Sequence, residues 1–361
     1  MAPQFHQLEP RILLAAHDGS VEQWNLLPEF RTWTFQAPTG LDSIEITTVA
    51  DGWGQISGTA NGVVFPTETF KNYSNIVIDL TASDTSGAPQ NDTVTIAGPL
   101  TATALTRVSI KGGYGIDKVD LDGLPADNVV DVHVAFGAGG GILGGARVDN
   151  DWTLTAPGAG MVWPSQVPST VLLPGIVGFT GVTQISGGSS DDRYSFGAGD
   201  LGSFSIDESA GGSDTIDLSL RPAAIAIDLA QTSAQVIDAG LTLTLPAENT
   251  VENVVGTRHA DTISGNDLDN IIDGFGGADV LVGRDGNDTY VLLEAGGSDV
   301  IAITGGSGGD TVVASDAAHV WYLTAAGTGE LHTGTTGRAT FTGVTSLFGG
   351  ADDDSYHFAA G

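Results

Sequence analysis

Short apolar runs rich in β-branched residues recur along the chain after residue 30, separated by residues that favour turns. Examples are IEITTV, NIVIDL, DTVTIAG, VDVHVAF and LTLTL, with Gly, Asp or Asn close to the ends of the runs. Apolar runs of about four to eight residues with such punctuation are typical of β-strands, whereas the 3.6-residue period of an amphipathic helix is hard to find here. The pattern therefore predicts an all-β chain.

The predicted strands also recur as larger units. Residues 152–199 and 321–361 share a Trp-x-Leu-Thr start, a Phe-Thr-Gly-Val-Thr centre and an end with Gly-Gly, paired Asp and Tyr-x-Phe. A looser third copy begins at Trp53 and ends at Gly98. Self-similarity of this kind is typical of repeat solenoids. Because the second copy stops where the first continues, we expect the chain to be the front part of a longer array.

The amino-acid composition limits which classes of function are expected. The 361 residues include 52 Gly, 34 Asp but only 10 Glu, and the formal net charge is −32. Asp and Gly together indicate many tight turns that carry carboxylates. Nucleic acid is not an expected partner, because its phosphates require Lys and Arg. Since the chain has no Cys, it has neither disulfides nor thiolate metal sites.

Residues 256–291 divide into four consecutive nonapeptides, GTRHADTIS, GNDLDNIID, GFGGADVLV and GRDGNDTYV. Each opens with Gly and has an apolar or aromatic residue at position eight. The residues at position six are Asp261, Asn270, Asp279 and Asp288. Isolated copies of the pattern, GGYGIDKVD at 112–120 and GGSGGDTVV at 305–313, make Asp117 and Asp310 further candidate metal ligands.

The spacing predicts how these nonapeptides stack. The first six residues form a turn, in which Gly allows positive φ, and the last three form a short strand with position eight facing the core. Two nonapeptides then make one coil of 18 residues, so Asp261 should lie over Asp279, and Asn270 over Asp288. Stacked carboxylates repel each other unless a cation lies between them. Calcium, which takes about six to eight oxygen ligands, suits such turns better than magnesium or zinc.

This segment resembles the haemolysin-type, or RTX, calcium-binding repeats, and the resemblance covers residues 251–291 closely. It implies a right-handed parallel β-roll in which each ion is held by the carbonyls and position-six side chains of two stacked turns. The implied ligands of one ion are Thr257, His259, Asp261, Gly274, Gly276 and Asp279, and those of a second are Asn266, Leu268, Asn270, Gly283, Asp285 and Asp288. The second site should be weaker, because Asn270 stands where the family has Asp. The alternative is a plain Gly/Asp-turn solenoid with vestigial sites.

Two further resemblances point to the cell exterior. Residues 8–14, LEPRILL, are similar to the LEPR-XLL motif that opens very large bacterial surface and secreted proteins. The Trp-x-Leu-Thr modules are similar to the β-strand repeats of large bacterial adhesins. The expected regions are a leader at 1–20, a β-rich region at 21–136, a first Trp module at 137–250, the calcium-binding β-roll at 251–318 and a truncated second Trp module at 319–361.

These observations predict an extracellular or cell-surface bacterial protein, structural or adhesive, that folds on calcium binding and whose surface or matrix partner is unknown. The alternative is a fragment of a secreted RTX toxin or enzyme with its catalytic domain outside this chain. We expect no enzyme, because GGSGG at 305–309 and GGGILG at 139–144 lack the helix that a nucleophile elbow or dinucleotide site needs. No conventional signal peptide and no transmembrane segment are expected. Asp191–Asp192 and Asp352–Asp354 are interpreted as turn carboxylates, with or without calcium, rather than a glycosidase pair.

Overall fold

The computed structural model describes residues 32–38, 41–49, 53–71, 73–81, 90–98, 100, 105–125, 128–165, 176–247, 250–292, 300–333 and 337–359. The LEPR-XLL-like segment at 8–14 and the expected leader at 1–20 lie outside these residues. All regular structure in the described residues is β-strand, and none of it is helix. No helix long and apolar enough to cross a membrane therefore occurs in this part of the chain.

The strands of the first half are β1 (Thr32–Gln36), β2 (Leu41–Val49), β3 (Trp53–Ala60), β4 (Val63–Lys71), β5 (Asn75–Asp79), β6 (Thr93–Ile96), β7 (Arg107–Lys111), β8 (Asp117–Asp120), β9 (Asp131–Ala135), β10 (Gly141–Gly144), β11 (Asn150–Ala156), β12 (Ala159–Pro164), β13 (Val177–Thr180), β14 (Val182–Ser186), β15 (Arg193–Phe196) and β16 (Gly202–Asp207). Those of the second half are β17 (Thr215–Asp217), β18 (Ala226–Asp228), β19 (Gln235–Asp238), β20 (Leu241–Thr244), β21 (Asn253–Val255), β22 (Thr262–Ser264), β23 (Ile271–Asp273), β24 (Val280–Asp285), β25 (Thr289–Leu292), β26 (Val300–Ser307), β27 (Asp310–Ala314), β28 (His319–Ala325), β29 (Thr328–Thr333), β30 (Gly337–Thr342), β31 (Val344–Phe348) and β32 (Ser355–Phe358).

Three sheets contain these strands. The 14-stranded sheet has the order β1-β5-β7-β9-β13-β12-β11-β15-β17-β21-β23-β25-β27-β31. The 10-stranded sheet has the order β19-β20-β16-β14-β10-β8-β6-β2-β3-β4, and the 8-stranded sheet has β18-β22-β24-β26-β30-β29-β28-β32. Most neighbouring strands are parallel. The predicted all-β, repeat-built solenoid with parallel sheets is thus confirmed.

In the second half of the chain the coils are made by consecutive strands that alternate between sheets. From β21 to β27 the chain passes between the 14-stranded and 8-stranded sheets at every strand. Thr262 pairs with Val280, and Ile271 pairs with Thr289, so each strand lies beside the strand one 18-residue coil further on. The next coil is longer, since Val280 pairs with Ala302. Between β22 and β25 the 18-residue period predicted from the nonapeptides is therefore the period of the fold.

The core runs along the inside of the coils. Position eight of the four nonapeptides, occupied by Ile263, Ile272, Leu281 and Tyr290, has no exposed surface. Burial of one such side chain from each coil contributes roughly 1.5–3 kcal/mol relative to leaving it exposed. A short strand with a single inward side chain is therefore stable only when its neighbours stack on it.

The two Trp modules have the same strand arrangement, β11–β15 in the first and β28–β32 in the second. In each module the first three strands pair antiparallel, and the fifth strand pairs parallel with the first. Trp152 stacks on Tyr194 with 5.8 Å between ring centroids, and Trp321 stacks on Tyr356 at 6.0 Å. Trp53 of the looser third copy differs, because it is 40% exposed in a strand next to the sheet edge.

Candidate metal centre

The position-six side chains of successive coils lie directly over one another, as the 18-residue period predicts. The backbone N–H of Asp261 donates to Oδ1 of Asp279 at 2.9 Å, and the N–H of Asn270 donates to Oδ1 of Asp288 at 3.0 Å. All four side chains are at most 1% exposed. The 22-residue coil continues the series, because the N–H of Asp288 donates to Oδ1 of Asp310 at 3.0 Å.

Two of the backbone carbonyls named as ligands, those of Gly274 and Gly283, lie beside position-six side chains. A Cβ added at Gly256 would be 2.8 Å from Oδ2 of Asp261 and 2.9 Å from the carbonyl oxygen of Gly274. A Cβ added at Gly265 would overlap Oδ1 of Asn270 and lie 2.7 Å from the carbonyl oxygen of Gly283. The turns therefore bring a position-six side chain together with a position-one carbonyl of the next coil.

The turns adopt two conformations, whereas the repeated sequence pattern predicts one. In the third and fourth nonapeptides positions two and four have positive φ, at Phe275, Gly277, Arg284 and Gly286. None of Thr257, His259, Asn266 and Leu268, at the same positions of the first two nonapeptides, has a positive φ. Those two turns contain no Gly after position one, so a left-handed backbone would cost steric energy there.

Polar side chains stabilise the first two turns instead. Thr257 donates to Asp261 from its N–H at 2.5 Å and from its hydroxyl at 2.9 Å. In the next turn the Asn270 amide donates to Oδ1 of Asn266 at 2.9 Å and accepts from its N–H at 2.8 Å. The neutral amide of Asn270 thus matches Asn266 at position two, which gives the departure from Asp a structural reason.

The remaining predicted ligands are less enclosed or belong to other coils. Asp285 is exposed and accepts a hydrogen bond from the Ser307 hydroxyl. Gly276 lies in the third turn, where its N–H donates to the carbonyl of Gly274 at 2.8 Å. Asp117, in an isolated copy, is buried and accepts from the N–H groups of Asp92 and Gly113 at 3.0 and 2.8 Å. Asp310 joins the main stack described above.

A continuous column of mostly acidic residues crosses the 14-stranded sheet near the N-terminal ends of its strands. The members align because each one directly precedes a residue that is paired with its counterpart on the next strand. The strands concerned are β11, β15, β17, β21, β23, β25 and β27. The members of this acidic column are Asn150, Asp192, Asp214, Glu252, Asn270, Asp288 and Asp310. Five of these seven residues are acids, so carboxyl groups follow one another along one line through the fold.

Four acids of the acidic column each have one carboxylate oxygen that is buried without a hydrogen-bond partner in the described residues. They are Asp192, Asp214, Asp288 and Asp310, each at most 2% exposed. Burial, with repulsion from Asp310, Asp269 and Asp285, raises the pKa of Asp288 to about 6, although the N–H of Asn270 favours its charged form. Such oxygens need a proton or a cation.

The Gly at position one makes room for the carboxylate at position six. We expect Gly283→Ala to lower the free energy of unfolding by about 1–3 kcal/mol, because the added Cβ would overlap Oδ2 of Asp288 and the Tyr290 hydroxyl. Urea unfolding of the full chain measures the effect. Gly276→Ala is the matched control, since its Cβ would meet nothing closer than 4.0 Å. Equal effects of the two substitutions would contradict this explanation.

A further group of acids comes together that the sequence pattern does not predict. Carboxylate oxygens of Asp192, Glu208 and Asp214 lie within 4.8 Å of one another in the interior. The segment GGSSDDRYS at 187–195 does carry a signal for Asp192, because it has Gly at position one, Asp at six and Tyr at eight. Glu208 belongs to no such pattern. We call these three residues the acidic triad.

Comparisons with known proteins do not assign the chain to a family. No protein-family model matches it, and no curated protein matches it significantly. The stacked turns, the acidic column and the acidic triad therefore carry any argument about function.

Proposed function

We propose that this chain is a calcium-binding repeat protein whose β-roll at 251–318 folds on calcium binding. The observation that carries the proposal is the stack of buried position-six residues, with position-one carbonyls of the next coil beside them. Carboxylates and carbonyls are the ligands that calcium prefers. Asp288 and Asp310 each have a buried carboxylate oxygen that accepts no hydrogen bond in the described residues. A bound cation would compensate for the burial of these oxygens, which an apolar interior does not.

The chemistry that calcium would supply is charge neutralisation and cross-linking of neighbouring turns. The side chains of Asp261, Asn270, Asp279 and Asp288, with carbonyls of their turns, would hold the ions. The chain itself positions these groups through the N–H hydrogen bonds between coils. A chain with a net charge of −32 repels itself, so binding of cations favours its compact state.

The cellular role proposed from this chemistry is extracellular. The β-roll would be loose in a compartment poor in calcium and would fold after export into millimolar calcium, where repeated coils stiffen a structural or adhesive module at the bacterial surface. This role rests on the resemblance to RTX repeats and adhesin modules. Its partner, a surface or matrix molecule, is unidentified, and we propose no catalytic activity for the chain.

Calcium titration of the full chain by calorimetry tests the proposal. Asp288→Asn should weaken or remove one binding event, because the amide keeps the hydrogen bond from Asn270 but loses a charge. Asp269→Asn is the matched control: it makes the same chemical change at an exposed acid in the adjacent, stacked turn, whose Asp269 accepts from the N–H of Asn287. Calcium binding that is absent at millimolar concentration, or equally affected by both variants, would overturn the proposal.

A further inference from the structure

The acidic triad lies outside the four nonapeptides, in the coils formed by β14 to β17. Asp192 directly precedes β15, Glu208 directly follows β16, and Asp214 directly precedes β17. The exposed fractions of the three residues are 2%, 1% and 0%. Strands of two sheets thus bring three carboxylates together at one buried place.

Each member of the acidic triad is held through one oxygen. Oδ1 of Asp192 accepts from N and Nδ2 of Asn150, both at 2.7 Å, and Oδ1 of Asp214 accepts from the N–H of Asp192 at 2.9 Å. Oε1 of Glu208 accepts from the N–H of Gly187 at 3.2 Å and from the Tyr194 hydroxyl. These contacts fix where the carboxylates point.

The second oxygen of each carboxylate is buried without a hydrogen-bond partner among the described residues. These atoms are Oδ2 of Asp192, Oε2 of Glu208 and Oδ2 of Asp214. A buried polar atom without a partner costs about 1–3 kcal/mol, and more when it is charged. Three such oxygens in one cluster call for a shared positive group, either a proton or a cation.

No side chain in the described residues supplies that positive group. The neighbouring Arg193 pairs with Asp217 at 2.7 Å, and none of the ion pairs formed in this part of the chain includes a triad member. Burial, followed by repulsion within the cluster, raises the pKa of Glu208 to about 10. For Asp214 burial is again the largest cause and raises the pKa to about 8. Burial and mutual repulsion thus disfavour three charged carboxylates at this place, and a cation between them would offset both effects.

A glycine opens space beside these oxygens. A Cβ at Gly187 would overlap Oδ2 of Asp192, the Tyr194 hydroxyl and Oε1 of Glu208. Any larger residue would fill the place where these atoms converge. The same arrangement, Gly at position one beside Asp at position six, occurs at Gly283 and Asp288 in the β-roll.

We propose that Asp192, Glu208 and Asp214 bind a hard divalent cation, and that calcium is the cation selected. The ligands are all oxygen, which disfavours zinc. Magnesium retains several waters, which disfavours it at a fully buried site, whereas calcium accepts many protein oxygens. A divalent ion lowers the formal charge of the triad from −3 to −1. The site lies outside residues 256–291, so its ion is distinct from the proposed β-roll ions.

Terbium luminescence tests the proposal on the full chain, because Tb³⁺ replaces calcium and is excited by nearby aromatic rings. The Tyr194 hydroxyl bonds to Glu208, and Trp152 stacks on Tyr194, so an ion in the triad should show tryptophan-sensitised emission. Asp214→Asn and Glu208→Gln should each weaken binding there by at least about tenfold. Calcium should displace the terbium, and magnesium at the same concentration should not.

Matched variants separate this site from the β-roll. Asp191→Asn changes an exposed acid next to the triad and should leave the tryptophan-sensitised emission unchanged, as should Asp288→Asn. In chelator Asp214→Asn should be at least as stable as the parent chain, but calcium should raise its melting temperature less. Equal destabilisation in chelator and in calcium would show a structural role only and overturn the proposal. Emission that depends on Asp288 and not on Asp214 would overturn it while leaving the β-roll proposal intact.

Discussion

Chelation of calcium should lower the melting temperature of the full chain by about 10 °C and reduce its β-sheet content. Each ion present at about 100 times its dissociation constant stabilises the folded state by about 2.7 kcal/mol, so two ions contribute about 5 kcal/mol. The melting temperature of a chain of this size shifts by roughly 2 °C for each kcal/mol of stability. The loss should concentrate in coils 256–313, where the stacked carboxylates would again repel one another.

Circular dichroism in chelator and in millimolar calcium, followed by thermal melts, measures this effect. Sodium chloride at matched ionic strength is the necessary control, since a net charge of −32 responds to any screening salt. Magnesium at the calcium concentration tests selectivity. An equal melting temperature in chelator and calcium, or an equal gain from sodium chloride, would rule out calcium-coupled folding.

Arg221→Met should lower the free energy of unfolding by about 3–5 kcal/mol, because it leaves Asp238 buried without its partner. The guanidinium of Arg221 is almost fully buried and bonds to both oxygens of Asp238 at 2.8 and 2.7 Å. It also donates to the carbonyl oxygens of Gly197 and Gly199. A single side chain thus connects the turn after β15 with the end of β19.

Urea unfolding of matched variants isolates the contribution of this ion pair. Arg221→Met combined with Asp238→Leu should recover much of the loss, since no unpaired charge then remains. Arg147→Met is the surface control: Arg147 pairs with Asp122 at 2.6 Å but is largely exposed, so the urea midpoint should not change. A double variant no more stable than Arg221→Met would contradict the assignment.

The ion pair between Arg221 and Asp238 should also make the stability of the fold depend on pH. Burial opposes the charged form of Asp238, but hydrogen bonds from Arg221 and from the N–H of Gly240 outweigh it and hold the pKa below its ordinary value of 3.8. The pair therefore stabilises the fold above that value, and this contribution is lost as the pH falls through the lower, folded pKa. In Arg221→Met this loss on acidification should disappear.

Much of the β-roll follows from residues that are close in sequence. The repeated Gly, Asp and apolar positions of 256–291 predict the strands, the 18-residue coil and the inward side chains at Ile263 and Leu281. The stacking of Asp261 over Asp279 follows from the same period. The pattern does not show that Thr257 and Asn266 hold their turns by side-chain hydrogen bonds, because that depends on backbone conformation.

The sequence by itself determined that this protein is an all-β solenoid with stacked acidic turns, because periodic local signals carry that information. Only the tertiary structure decided which acids share one interior site. Asp192 and Asp214 are separated by 22 residues, and Glu208 comes from the opposite sheet, so no short motif joins them. Their meeting is set by how successive coils register across two sheets, and the pairing of many strands, rather than any local pattern, fixes that register.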